Sequence, residues 1–285
     1  TTAGVIEYEP EGSRYHLPAE HAAALTRAAR PGNLATTFQW IPLLGAVEDE
    51  IVRCFEQGGG VPYSSYGRFH AVMAEESDQT VVAGLVEQIL PLVPGLLERL
   101  EQGIDVLDVG CGSGRALQLL AHAFPKSRFT GVDASESAVE NGQQETATQG
   151  LTNLRFEARD AATLDATDGY DLVLAFDAIH DQARPAEVLA GIAGCLRPDG
   201  VFLMQEIGGS SDVQEDGAHP LGTFLYTVSC MHCMTVSLSS GGAGLGAMWG
   251  ERTARRMLAD AGFGRVAVQE LPHDPINRYY VSHKA

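Results

Sequence analysis

Basic side chains are scarce in this chain: 19 Lys and Arg stand against 37 Asp and Glu, for a net charge of −18 over 285 residues. Nucleic-acid backbones are bound by concentrated positive charge, and no Lys/Arg block interrupts the acidity. No nucleic-acid partner is expected, and a small neutral or cationic substrate fits better. Cysteines are few. Cys54, Cys111, Cys195, Cys230 and Cys233 have no framework spacing, so reduced intracellular thiols are the expectation. The opening Thr1-Thr2-Ala3-Gly4 has neither the basic region nor the apolar core of a signal peptide, and a cytoplasmic setting is expected. Residues 217–250 hold no Asp, Glu, Lys or Arg, yet the apolar part, Leu221 to Val236, is interrupted by Thr, Ser and His. It is shorter than the roughly 20 apolar residues a membrane span requires. It reads as a buried helix over a ligand pocket, and no membrane partner is expected. Internal repeats and low-complexity tracts are absent.

What the chain does have is Val106-Leu107-Asp108-Val109-Gly110-Cys111-Gly112-Ser113-Gly114, followed by a helical run from Arg115 to Ala123. An apolar strand ends in an acid, and three glycines then alternate with other residues. Without a Cβ, such a loop turns tightly and lets the backbone approach a ligand. A dinucleotide fingerprint, G-x-G-x-x-G, would put its third glycine where Arg115 stands. The pattern here is D-x-G-x-G-x-G. Arg128 to Asp133 reads as a second strand ending in an acid, which can accept both ribose hydroxyls of an adenosine. Leu154 to Asp160 reads as a third, with Asp160 able to receive an adenine amino group. Tyr170 to Asp177 reads as a fourth, and the turn Leu196-Arg197-Pro198-Asp199-Gly200 leads into a fifth, Val201 to Met204. Alternating strands and helices predict an α/β fold with a parallel sheet. Helices are expected near 114–123, 135–149, 185–196, 219–236 and 250–261. Two last strands, Gly264 to Leu271 and Arg278 to His283, are joined by Pro272-His273-Asp274-Pro275.

Together these motifs resemble the class I S-adenosylmethionine (SAM) methyltransferases over roughly residues 80–285. The resemblance implies a Rossmann-like, seven-stranded doubly wound sheet with an antiparallel C-terminal strand, and SAM as cofactor. It implies a methyltransferase domain over 78–285, with a helical substrate-pocket insertion at about 212–249. Gly110, Gly112 and Gly114 would bring backbone close to the cofactor, Asp133 would bind the ribose, and Asp160 with Ala161 the adenine; Ala134 is assigned to the cofactor site. Asp108 would hold the loop or reach the methionine amino group through water. Phe176 is assigned to the cofactor site as well, and Asp177 either to the methionine end or to a turn cap.

Ahead of this domain, residues 4–17 read as a hairpin about Glu9-Pro10-Glu11-Gly12. It resembles the wing of a truncated winged-helix module, which in many small-molecule methyltransferases supports dimerisation or closes the substrate site. Residues 1–77 are accordingly expected to form a mainly helical lid or dimerisation region, and the chain a homodimer. Helical patterns cover about 19–30, 34–57 and 65–75, and a longer one runs from Asp78 to Gln102, kinked or broken by Pro91 and Pro94.

Methyl transfer from a sulfonium chiefly requires that the acceptor be positioned and its proton removed. The candidate base is His180, in Asp177-Ala178-Ile179-His180-Asp181 beyond the fourth strand. The His-Asp pair resembles that of the winged-helix O-methyltransferases of the caffeate type, although Gln182 stands where those enzymes have tryptophan. A structural or cofactor-packing role for His180 is the alternative. Tyr63, Tyr66, Phe69 and His70, after Gly58-Gly59-Gly60, form a second candidate group. Tyr66 is assigned to the cofactor, since aromatic faces stabilise a sulfonium, and Tyr63 and His70 to the substrate, while Phe69 is assigned to an interdomain core. His232, within Cys230-Met231-His232-Cys233, is assigned to the substrate. No metal is expected there, because structural zinc needs four ligands and no second pair exists; His219 is a poor substitute. Met248 and Trp249 read as packing for the next helix.

The reading is SAM-dependent methylation of a small, fairly apolar molecule, with O-methylation favoured. Two rivals are a non-catalytic ligand-binding regulator with a winged-helix module, and a methyltransferase acting on protein or RNA. Acidity opposes the regulator and the RNA version. Phe176-Asp177-Ala178-Ile179 also lacks the Asn/Asp-Pro-Pro-Tyr/Phe element of enzymes that methylate amino groups on nucleobases and glutamine.

Overall fold

A computed structural model describes residues 1–29, 33–165 and 169–285. Strands β1 (Glu7–Glu9) and β2 (Arg14–His16) form the N-terminal hairpin, around a tight turn at Pro10–Gly12. The main sheet comprises β3 (Asp105–Val109), β4 (Arg128–Asp133), β5 (Leu154–Ala158), β6 (Tyr170–Phe176), β7 (Leu196–Ile207), β8 (Phe263–Leu271) and β9 (Asp274–Lys284). Their spatial order is β5-β4-β3-β6-β7-β9-β8. The strands from β3 to β7 pair in parallel, and β9 runs antiparallel to both of its neighbours. This is the doubly wound α/β sheet expected from the sequence.

Central strands in such a sheet are covered on both faces and so read as apolar runs rather than alternating ones. Val106, Leu107, Val109, Leu172, Val173 and Leu174 are all fully buried. One face packs Leu117, Leu120, Phe129 and Leu203 with Leu85 and Ile89. The other packs Val173, Phe202 and Tyr280 with Ile192, Trp249 and Leu258. A third cluster joins Trp40, Leu43, Val61, Tyr66 and Val72 to Ile207, Leu225, Val236 and Met248. The N-terminal region and the segment after β7 therefore share one core. The order of strands reverses at β3, which has β4 on one side and β6 on the other, and ligands bind at that crevice in folds of this kind.

Several boundaries differ from expectation. The pattern over 34–57 is three helices, Leu34–Thr37, Trp40–Gly45 and Glu48–Gln57, because Pro42 lacks an N–H and Trp40, Leu43 and Leu44 all turn to the third core. The helix expected over 19–30 spans Ala19–Leu25, and Arg30 lies outside the described residues. The one over 65–75 is a tight turn, Tyr63–Ser65, and a helix, Phe69–Ser77. From Asp78 the chain makes wide π turns (Asp78–Val82, Leu85–Ile89) before Leu90–Leu92 and the helix Leu96–Gln102. Pro91 and Pro94 contribute to this break; Gly84, packed against the His273 ring, loosens the chain earlier. The helix expected over 219–236 begins at Gly222, passes through a π turn at Ser229–Cys233 and ends at Ser239. The Leu196–Gly200 turn is a bulge inside β7, with Tyr170 opposite Leu196 and Leu172 opposite Val201. Strand β9 starts at Asp274 rather than 278, since the Asp274 carboxylate is buried accepting from Asn277 and Tyr279.

Candidate active site

The glycine loop leaves β3 with left-handed backbone at Gly110, Gly112 and Gly114 (φ +74°, +53° and +74°). The Gly110 and Cys111 N–H groups donate to the Val132 carbonyl, tying the loop to β4. A Cβ on Gly110 would lie 2.5 Å from Ala178, and one on Gly114 2.3 Å from the Phe156 ring. At Gly112 it would meet nothing within 4 Å. Two glycines are thus needed for packing, and the third faces open space, as close approach of an adenosyl cofactor requires.

Asp133 ends β4 beside this space. Its Oδ2 accepts from the Gly112 N–H at 2.8 Å, and its Oδ1 from the Ser135 N–H at 2.8 Å. A carboxylate has about four lone-pair sites, so each oxygen retains capacity for a ribose hydroxyl. The loop-holding role read for Asp108 falls to Asp133. Asp108 is buried beneath the loop, and burial, aided by the charge of Asp133, pushes its pKa up to about 8. Ala134 is exposed and Ala161 buried. Asp160 caps a tight turn through the Ala162 N–H (2.9 Å) and pairs with Arg184 (2.6 Å). The Ala162 N–H, with Arg184, holds its pKa below the ordinary value although burial pushes the other way.

Phe176 closes β6, half-buried against the first core. Asp177 then takes a left-handed turn (φ +55°) that reverses the chain and brings His180 back against β7. His180 is 3% exposed, and its Nδ1 lies 2.5 Å from Oε2 of Glu206. The other carboxylate oxygen of Glu206 accepts from the Ile179 N–H at 2.8 Å, and Trp249 Nε1 donates to Oε2 at 3.2 Å. Three donors therefore converge on a fully buried acid. Burial opposes the imidazolium, but Glu206 outweighs it, with help from Cys233, and the His180 pKa stands well above its ordinary value. A carboxylate only accepts, so Nδ1 keeps its proton and Nε2 is the nitrogen that loses or gains one as His180 titrates. Asp177 Oδ1 sits 3.7 Å from Nδ1. Burial raises Asp177 to about 7, His180 pulling it down and Glu206, Glu76 and Asp181 pushing it up. Asp177, His180 and Glu206 have the donor types of a metal site, and His180 and Glu206 are also joined by a short charge-assisted hydrogen bond.

The aromatic group lies alongside. Tyr63 donates its hydroxyl to Asp181, next to His180 in the chain. Tyr66 is buried in the third core and donates to the Met231 carbonyl. Phe69 stacks on His232 (ring centroids 4.1 Å apart). His70 stacks on Tyr63 and also lines a cavity of about 240 Å³ with Ser113, Arg115 and Gln118, outside the glycine loop. His232 is buried among these rings. The structure thus brings Tyr63 and His232 to the His180 side, and His70 to the border between the rings and the loop.

Sequence reasoning missed Glu206 and underread Trp249. A lone acid in the apolar run Val201 to Ile207 was the available signal for the first. For the second it was the indole N–H, which needs a partner when buried.

Residues 100–262, more than half of the chain, match the family model described as "Methyltransferase domain". The chain belongs to that family. Curated relatives of this chain include trans-aconitate 2-methyltransferase of Acidovorax sp., 32% identical over 100 residues (35% of this chain, 37% of the relative). Malonyl-[acyl-carrier protein] O-methyltransferase of Bacillus cereus is 30% identical over 105 residues (37% of this chain, 38% of the relative). The matched stretches thus span little more than a third of either relative. Among solved structures, "PigF with SAH" aligns with a TM-score of 0.71 at 19% identity, covering 99% of this chain and 82% of that one. Human N-acetylserotonin methyltransferase in complex with SAM aligns with a TM-score of 0.68 at 16% identity, covering 100% and 80%. These likenesses establish that the fold extends over the N-terminal region as well as the sheet. No helix of the described residues is long and apolar enough to cross a membrane.

Proposed function

We propose that this methyltransferase uses SAM to methylate a small, fairly apolar molecule, with oxygen the favoured acceptor atom. The observation that carries the reading is the buried His180–Glu206 pair on the turn after β6, beside the glycine loop at the switch point of the sheet. When bound, SAM supplies a methyl group already activated on a sulfonium. Everything else falls to the chain. The backbone at Gly110, Gly112 and Gly114, with Asp133, would hold the adenosyl portion, Asp160 and Ala161 the adenine, and Asp108 and Asp177 the methionine portion. In its neutral form, populated as pH rises, His180 takes the proton of the acceptor hydroxyl on Nε2, while Glu206, held by Ile179 and Trp249, fixes the ring and stabilises the imidazolium. Tyr63 and its neighbouring rings keep water from the reacting atoms.

The names of two similar proteins include O-methyl transfer, to malonyl-acyl-carrier protein and to mitomycin; that supports oxygen as acceptor without naming the molecule. The homodimer belongs to this proposal too, with the exposed Phe38, Ile41 and Phe55 of the N-terminal helices as the apolar surface a second copy would cover. The test is to incubate the protein with SAM and a panel of small phenols, amines and thiols, and to follow S-adenosylhomocysteine (SAH) release. Turnover with a phenol that His180→Gln abolishes supports the reading. Turnover that His180→Gln leaves intact removes His180 as base.

A further inference from the structure

The cavity of about 240 Å³ outside the glycine loop lies between the helices Phe69–Ser77, Arg115–Ala123 and Glu136–Gln149. None of the residues assigned above to the cofactor lines it. Arg115 borders it from one helix and Glu145 from another. Among the described residues Arg115 has no hydrogen-bond or ion-pair partner, so the two charges share a cavity without pairing. Glu145 accepts from Gln149 on Oε1 at 2.9 Å, which leaves Oε2 open. Gln118, also in the lining, is 5% exposed and gives its amide N–H to the Ser113 carbonyl at 3.1 Å. That bond fixes which atom of the amide is oxygen, and among the described residues Oε1 has no donor. Buried side-chain acceptors are nearly always paired, so this one marks a place for a donor.

Each charge excludes one class of occupant. A bare anion drawn to Arg115 meets Glu145, and a bare cation drawn to Glu145 meets Arg115. A molecule carrying both charges satisfies both. At about 240 Å³ the cavity is smaller than the roughly 300–1,000 Å³ pockets that hold drug-sized ligands, so its occupant is small. Ala71, Ala74 and Ala138 give it an apolar wall.

We propose that this cavity binds a free α-amino acid with an aliphatic side chain. The carboxylate meets the guanidinium fork of Arg115, whose geometry it matches, with the Ser113 hydroxyl and the Asn141 amide alongside. The ammonium donates to Glu145 Oε2 and Gln118 Oε1, and the side chain lies on the alanines. The cavity adjoins the cofactor loop at Ser113 and the ring wall at His70, which stacks on Tyr63. It is a second site, filled while the cofactor is bound.

Calorimetry tests this with three probes: L-leucine, L-leucinamide, which lacks the carboxylate, and 4-methylpentanoate, which lacks the ammonium. Wild type, Arg115→Met and Glu145→Gln are each titrated with and without saturating SAH. Wild type should bind leucine about tenfold or more tightly than either analogue, because each analogue gives up hydrogen bonds to a charged group. Saturating SAH should leave that binding in place. Arg115→Met should abolish the advantage over leucinamide, and Glu145→Gln should reduce the advantage over 4-methylpentanoate. No binding of leucine, equal binding of the three probes, or an advantage that survives Arg115→Met overturns the proposal. Displacement of leucine by SAH also overturns it, since the cavity would then be the methionine end of the cofactor site. An unchanged Tm certifies the fold of each variant. Should a variant fail that check, the methyl ¹³C shifts of Ala71, Ala74 and Ala138 in SAH-saturated wild type decide: movement with leucine supports the proposal, and no movement overturns it.

Discussion

His180, just past the end of β6, and Glu206, near the end of the neighbouring β7, meet at 2.5 Å, with side-chain exposures of 4% and 0%. A charged hydrogen bond in so dry a place is strong, and its loss has a pH signature. His180→Gln should lower kcat by about 10²–10⁴, the usual worth of a positioned base. Glu206→Gln should lower the plateau less and move the acid limb of the pH–rate profile. Because Glu206 raises the His180 pKa, removing its charge lowers that pKa, and the limb shifts to lower pH. A limb that stays in place in Glu206→Gln would show that the pair does not set the base.

Acids pushed up by burial give a second prediction. Asp108 is raised to about 8, Asp177 to about 7 and Asp181 to about 6, so the ligand-free cleft holds protons near neutrality. A sulfonium entering this cleft favours the charged carboxylates and expels those protons. SAM affinity should therefore rise with pH between about 6 and 8, and that of SAH, which lacks the sulfonium charge, should rise less. Calorimetry in buffers of different ionisation enthalpy counts the released protons. The same shifts set stability. A folded-state pKa above its ordinary value gives stabilisation that is complete below the ordinary value and is lost as pH rises through the raised one. The ligand-free protein should thus melt at lower temperature at pH 8.5 than at pH 6, with SAM narrowing the gap. A flat melting profile over that range would contradict the assignment.

The three glycines should respond differently to alanine. Gly114→Ala drives a Cβ into the Phe156 ring on a left-handed backbone, and overpacking of this kind costs about 1–3 kcal/mol. Its signature is a lower Tm. Gly112→Ala meets open space, so it costs only the left-handed strain of about 1–2 kcal/mol, while its methyl occupies room reserved for the cofactor. SAM affinity should fall more than about tenfold there, beyond what the Tm change accounts for. Equal affinity loss in the two variants would remove the special role of Gly112.

The legibility of these features follows from their range along the chain. The glycine loop, the acids at the ends of β3 and β4 and the strand–helix alternation are local patterns, and a parallel α/β sheet follows from them; the order of its strands is given by the structure. His180 was legible because it stands just past a strand end. Glu206 was not, since its partner lies 26 residues away and only the folded β6–β7 pairing joins them. The broken helices from 78 to 92 were legible only at the prolines, because the contact of Gly84 with His273 is tertiary. The loop-holding role moved from Asp108 to Asp133 for the same reason: a strand-end acid announces itself in sequence, but which oxygen meets which N–H is decided across β3 and β4.

The central claim is that the glycine loop and Asp133 form a SAM site, and calorimetric titration with SAM, on wild type and on Asp133→Ala, tests it most directly. Wild type should bind with micromolar affinity, about −8 kcal/mol, and Asp133→Ala should lose detectable binding while its far-UV circular dichroism stays native. No binding by wild type, or equal affinity in a folded Asp133→Ala, would contradict it.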